Sequence, residues 1–163
     1  MGPLQHRPAG RGCGLTPAVD LTTQLSRPAD AVWAAVTTPA GVNAELGPWV
    51  RMIFPSGAMA GLASAPRDEP LFACWLLALG VIPFDRHVLV MHEVGERHFI
   101  ETSHSLLQKL WRHERYVTPS GQGCNVRDVV TVTPRFGFAG PVSRALAAAV
   151  FAHRHRRLKA LYG

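Results

Sequence analysis

One long helical pattern, Gly140 to Tyr162, closes a chain whose earlier residues read mostly as strand, and that pairing limits what the chain can fold into. Pro141 sits in the first turn, where its missing N–H costs nothing, and the last turns carry Arg and Lys, which suit the negative end of a helix. Leu146, Val150, Phe151, Leu158 and Leu161 recur at spacings of three and four and define an apolar face, with Arg144, Arg156, Arg157 and Lys159 on the other side. Such a face needs a sheet to bury it.

The preceding residues supply one. Val19, Leu21, Thr23 and Leu25 alternate with polar neighbours, giving a strand over 18–26. Ala31 to Val36 forms a short helix running to Thr37, with Ser26 as the expected N-cap and Pro28 in the first turn. Thr38-Pro39 opens a second helix through Leu46, stopped by Gly47-Pro48. Trp49 to Phe54 is β-prone. Pro55 to Asp68 is a Gly-, Ala-, Ser- and Pro-rich loop of a length that marks a lid or disorder. Leu71 to Leu79 is continuously apolar and is read as strand, although periodicity alone does not separate strand from helix there. A bend over 80–83 leads to strands at Phe84 to Val94, Arg97 to Leu107, Lys109 to Thr118 and Asn125 to Pro134, joined by short turns as in an antiparallel meander. The expected fold class is α+β, with a curved antiparallel sheet of about seven strands in the order β-α-α-β6-α around the long C-terminal helix. Because a straight helix cannot meet a concave sheet everywhere, a pocket is expected between them.

At 163 residues and 47% hydrophobic content, with no shift in composition, residues 17–163 read as a single domain behind a disordered leader at 1–16. The net charge of +6 and a pI near 10 raise nucleic acid or an anionic surface as partners. Against this, Arg154 and its neighbours sit on one helix with no interleaved aromatic residues to stack bases, as a solvated helix face would look, so no nucleic-acid partner is expected. Cys13, Cys74 and Cys124 are odd in number and lack CxxC spacing, which points away from a disulfide framework and towards a reducing, cytoplasmic setting. The longest apolar run, Leu71 to Pro83, is too short to span a bilayer. His153 and His155 are two apart on a helix and diverge, so no metal is expected, and no Gly-rich phosphate loop signals another cofactor.

Several stretches resemble one family: SRPADAVWAAVTTPAG at 26–41, GVIPFDRH at 80–87, WRHERYV at 111–117, GCNVRDVVTVTPR at 123–135 and the closing FAHRHRRLKALYG. They are similar to the START-like, or SRPBCC, superfamily with the helix-grip fold, which includes the pollen-allergen-like proteins and the polyketide cyclase/dehydrase group. The resemblance covers about residues 17 to 163. It implies a protein that binds a hydrophobic or amphipathic small molecule, and in some members turns it over.

Strand parity sorts the residues that could do so. Trp111, His113, Arg115 and Val117 share one face of their strand; Asp128 and Val130 share one of theirs; Phe99, Glu101, Ser103 and Leu107 form a matching row. His113, Asp128, Glu101 and Arg115 are therefore the acid–base candidates. Trp75, Phe84, Phe99, Ser103, Trp111, Val130, Val150 and Phe151 are the expected ligand contacts. A buried His–Asp or Arg–Glu pair is more often a satisfied structural network than a catalytic one, since every charge in an apolar interior must be paired. Three functions stay open: binding of a hydrophobic or aromatic small molecule, a cyclase/dehydrase-type lyase or isomerase, and docking of a partner or anionic surface on the basic helix. A homodimer is compatible with the sequence.

Overall fold

A computed structural model describes residues 16–58 and 62–163. The expected leader at 1–16 falls almost wholly outside the described residues, as does Cys13. Seven strands form one antiparallel sheet: β1 (Val19–Leu25), β2 (Val50–Ile53), β3 (Pro70–Ala78), β4 (Ile82–Val94), β5 (His98–Ser105), β6 (Gln108–Ser120) and β7 (Gly123–Pro134). Their order across the sheet is β1-β7-β6-β5-β4-β3-β2, so the first two strands form its opposite edges. Helices α1 (Ala29–Val36) and α2 (Pro39–Leu46) span from one edge to the other, and α3 (Gly140–Tyr162) crosses the concave face. The α+β class and the helix-grip arrangement are thus as expected.

The sheet curves because it is interrupted in register. Irregularities fall between Pro70 and Phe72, between Leu76 and Leu77, between Met91 and Glu93, and between Gln108 and Leu110. An extra residue on one strand bends it and increases its twist. Two glycines permit close approaches elsewhere. A Cβ on Gly41 would lie 2.0 Å from the Ala35 carbonyl oxygen, where α2 leaves α1, and one on Gly123 would lie 2.0 Å from that of Leu25.

Helix α3 is held at both ends along β1. The Ser26 and Arg27 amides donate to the Tyr162 carbonyl at 3.1 and 3.3 Å, and Arg144 donates to the carbonyls of Thr16 and Pro17 at 2.9 and 3.2 Å. Ser26 therefore does not cap α1; that helix begins behind Pro28, whose carbonyl accepts from Val32 at 3.1 Å. Beneath the helix, Phe151 and Ala147 pack on Val19, Val130 and Val132, while Leu158 joins Leu25, Val32, Val36, Val117 and Val126. The buried stripe differs from the expected one. Leu146 is 62% and Leu161 40% exposed, and in their place Arg154 and His155 are buried. The described residues of the loop over 55–68 are also more anchored than their composition implied. Leu62 packs on Leu89, Met91 and Phe99, the Asp68 amide donates to the Met91 carbonyl at 2.8 Å, and the Asp68 carboxylate meets His92 Nδ1 at 2.7 Å.

Candidate functional site

Since α3 packs on β1 and β7, the far half of the concave sheet is left uncovered, and a cavity of about 210 Å³ opens there. Its walls are apolar for most of their extent: Met52 and Phe54 near the β2 edge, Leu89 and Met91 on β4, Phe99 on β5, Trp111 on β6, and Val150 and Phe151 on α3. Phe84, Leu107 and Leu146 line it and yet remain exposed, which marks the mouth. Polar groups reach the wall at few places: Asp85, His87, Glu101, Ser105, Gln108, His113, Arg115, Ser143 and Arg154.

Most of these belong to one buried network that runs from β4 to α3. His87 Nε2 lies 2.6 Å from Glu101 Oε1, and His113 Nδ1 is 3.7 Å from Glu101 Oε2, within ion-pair range and beyond a hydrogen bond. On its other side His113 Nε2 donates to Asp128 Oδ1 at 2.8 Å. Asp128 also accepts from Arg115 Nε and Nη2, both at 2.8 Å, and from His155 Nε2 at 3.0 Å. The Thr23 hydroxyl meets the second nitrogen of His155 at 2.7 Å. Arg115 turns its remaining edge to Glu45 with two bonds of 2.9 Å, and Arg154 donates to the same carboxylate through Nε at 2.9 Å. A guanidinium held by two bidentate carboxylates is geometrically fixed.

Electrostatics follow from these contacts. Burial by itself would raise the Asp128 carboxyl, but Arg115 and His113 outweigh it and hold the group well below the usual carboxylate range. Glu45 is likewise lowered by Arg115 and Arg154 against the cost of burial. For Glu101, burial is overcome by His87 and His113, which keep this carboxyl ionised. Cys74, by contrast, is pushed up to about 12 by burial and then by Glu101 and Asp85, so its thiol is no nucleophile.

Glu101, His113 and Arg115 thus lie in the cavity wall, whereas Asp128 stands behind it, fully buried. Phe84, Phe99, Trp111, Val150 and Phe151 are wall residues as well. Trp75, Ser103 and Val130 are not. Trp75 is 46% exposed because Cys74 takes the inward position of β3, so parity turns the indole outward. Ser103 points inward but its hydroxyl accepts from the Val90 amide at 3.0 Å, filling the irregular stretch of the β4–β5 ladder. Val130 is covered by α3.

Arg154 and His155, expected in a solvated basic face, are instead the cations that dock α3, with Arg157 donating to the Ala44 carbonyl at 3.1 Å and His153 to that of Gly47 at 2.8 Å. Glu45, His87 and Gln108 had not been singled out. Parity could have found His87, since Asp85, His87, Leu89 and Met91 are successive inward positions of β4. Nothing local in α2 marks Glu45, whose partners are 70 and 109 residues away.

Among solved structures, the fold is similar to that of protein CV1439 from Chromobacterium violaceum, with a TM-score of 0.65 and 16% identity over 88% of this chain and 96% of that one. A START superfamily protein from Mycobacterium smegmatis aligns with a TM-score of 0.64 and 12% identity over 88% and 95% of the two chains. DynU16, from the dynemicin biosynthetic locus, aligns at 0.53 with 16% identity over 88% of this chain and 48% of its own. Among curated proteins there is no match. The fold is therefore START-like, and residues 23–162 match the family described as a domain of unknown function, DUF8410, to which the chain belongs.

Proposed function

We propose that this protein binds a hydrophobic or aromatic small molecule in the cavity between the sheet and α3, in the cytoplasm. The observation that carries the reading is a concave, largely apolar space whose few polar groups are clustered, the usual make-up of a small-molecule site. At about 210 Å³ it is smaller than the roughly 300–1,000 Å³ of drug-sized sites, which suits one or two rings or a short acyl chain. Native mass spectrometry of protein purified from its source tests this: a retained small molecule supports it. An apolar, environment-sensitive dye that fails to bind, or that flat aromatic and acyl competitors fail to displace, counts against it.

A second reading is favoured by a separate observation, the presence of His87, Glu101 and His113 in the wall: acid–base turnover of the cyclase/dehydrase type. Docking through the basic helix has less support, because Arg154 and Arg157 are engaged by α2, which leaves Arg156 and Lys159 as the exposed cations of that half of α3.

A further inference from the structure

The two histidines that flank Glu101 are not equivalent. His113 donates through Nε2 to Asp128 and turns Nδ1 towards Glu101 at 3.7 Å, so a carboxylate faces each of its nitrogens. His87 uses only Nε2. Because Glu101 is ionised, it can only accept, and the proton between them sits on His87 Nε2. The other nitrogen, Nδ1, has no hydrogen-bond partner among the described residues, and the ring that carries it forms part of the cavity wall. A carboxylate that fixes one nitrogen of an imidazole and leaves the other facing a site is the arrangement of an oriented base.

The surroundings of His87 point to what it would meet. Trp111 stands edge-on to it with ring centroids 6.2 Å apart, and Phe99 and Phe151 are further walls, so the neighbouring space is aromatic. The other titratable groups around it are accounted for. Asp85 on the same strand accepts from the amides of Arg86 and Leu107 at 2.9 and 3.2 Å, Cys74 on β3 is a protonated thiol near the His87 carbonyl, and His113 on β6 is committed to Asp128. In the connected cluster three carboxylates, Glu45, Glu101 and Asp128, exceed the two guanidiniums of Arg115 and Arg154 by one charge. At a second point of the wall Gln108 donates to Ser143 at 3.1 Å while its buried Oε1 has no partner, which supplies a second polar anchor.

We infer that the cavity takes an aromatic ligand bearing a phenolic or enolic O–H, and that His87 Nδ1 receives its proton, with Glu101 as the positioning residue. The ligand O–H bond breaks, an N–H bond forms at Nδ1, and the resulting imidazolium is paired with the Glu101 carboxylate while the phenolate stays in the cavity; no co-reactant is needed. The inference rests on the reading of the cavity as a ligand site and adds the ligand's chemical class.

The test uses 4-nitrophenol and its methyl ether, 4-nitroanisole, titrated into the full chain at a pH where the free phenol is neutral. The phenol is expected to bind about tenfold tighter than the ether, the gain of one charge-assisted hydrogen bond, and to show the phenolate absorption band once bound. Glu101→Gln keeps an acceptor for Nε2 and removes the charge, so the band should shrink and the preference for the phenol over the ether should fall. His87→Phe should abolish both the band and the preference. Equal affinity with no band in the unaltered protein overturns the inference, as does a band that survives in folded His87→Phe. If that variant does not fold, the two-probe comparison and Glu101→Gln decide. Binding of the ether and of an apolar dye without a preference for the phenol sinks the His87 assignment alone; failure of all three probes to bind removes the ligand-site reading too.

Discussion

Asp128 and Glu101 lie two strands apart, each buried and each in contact with a histidine, yet their oxygens are used very differently. Asp128 accepts four hydrogen bonds from three side chains, which fills the capacity of a carboxylate, and it stands behind the cavity wall. Glu101 accepts one short bond, has His113 at 3.7 Å, and lies in the wall itself. The difference follows from where α3 rests. Under the helix, charges from β6, β7, α2 and α3 converge and saturate one another. Beyond it, the same curved sheet presents partly used groups to open space. Buried charge on the first side is used up by the fold, and on the second side it borders the cavity.

Asp128→Asn should show the largest effect. The substitution leaves Arg115, His113 and His155 short of an anion, and chemical denaturation should register a loss of about 3 kcal/mol. Dye affinity in the folded fraction should be retained. The sign with pH is fixed by the lowered folded pKa of Asp128: its contribution is complete above the unfolded carboxyl value of about 4 and is lost as pH falls towards the folded value. The variant should therefore lose less stability than the parent on acidification. An equal acid sensitivity in both would show that Asp128 does not hold the fold in this way.

Glu101→Gln should cost less, about 1 kcal/mol, because one hydrogen bond is altered and no guanidinium is stranded. If the two substitutions destabilised equally, the contrast between the two carboxylates would vanish. Trp75→Ala should change least. The indole faces away from the cavity, so dye affinity should match the parent within error, and the loss of stability should stay near 1 kcal/mol or below. A marked fall in affinity would return Trp75 to the site that the sequence proposed for it.

How much of this was legible in advance depended on how local the signal was. The alternation of Trp111, His113, Arg115 and Val117, and of Asp128 and Val130, gives the inward faces of β6 and β7 directly, and the register pairs Arg115 with Asp128. The position of α3 also follows from Pro141 and the run to Tyr162. Its buried stripe was less readable, because Arg154 and His155 look solvated until Glu45 and Asp128 arrive from elements far away in sequence. Leu146 met the spacing rule and still lies at the cavity mouth, since the sheet curves away from that part of the helix. Trp75 was misplaced for a different reason. A continuously apolar strand such as Pro70–Ala78 carries no alternation from which to read its inward face.

If the space beside α3 is a binding site, filling it must block binding. Val150 lies in the wall and is half-buried, so Val150→Trp should occupy the cavity without disturbing Phe151, Arg154 or Leu158 beneath the helix. Titration of an apolar dye into the two proteins, both shown to be folded by circular dichroism, is the measurement. Binding to the variant should be at least about tenfold weaker, the loss of roughly one buried aromatic contact surface. Unchanged affinity in a folded Val150→Trp protein would contradict it and place the dye, and the proposed ligand site, elsewhere.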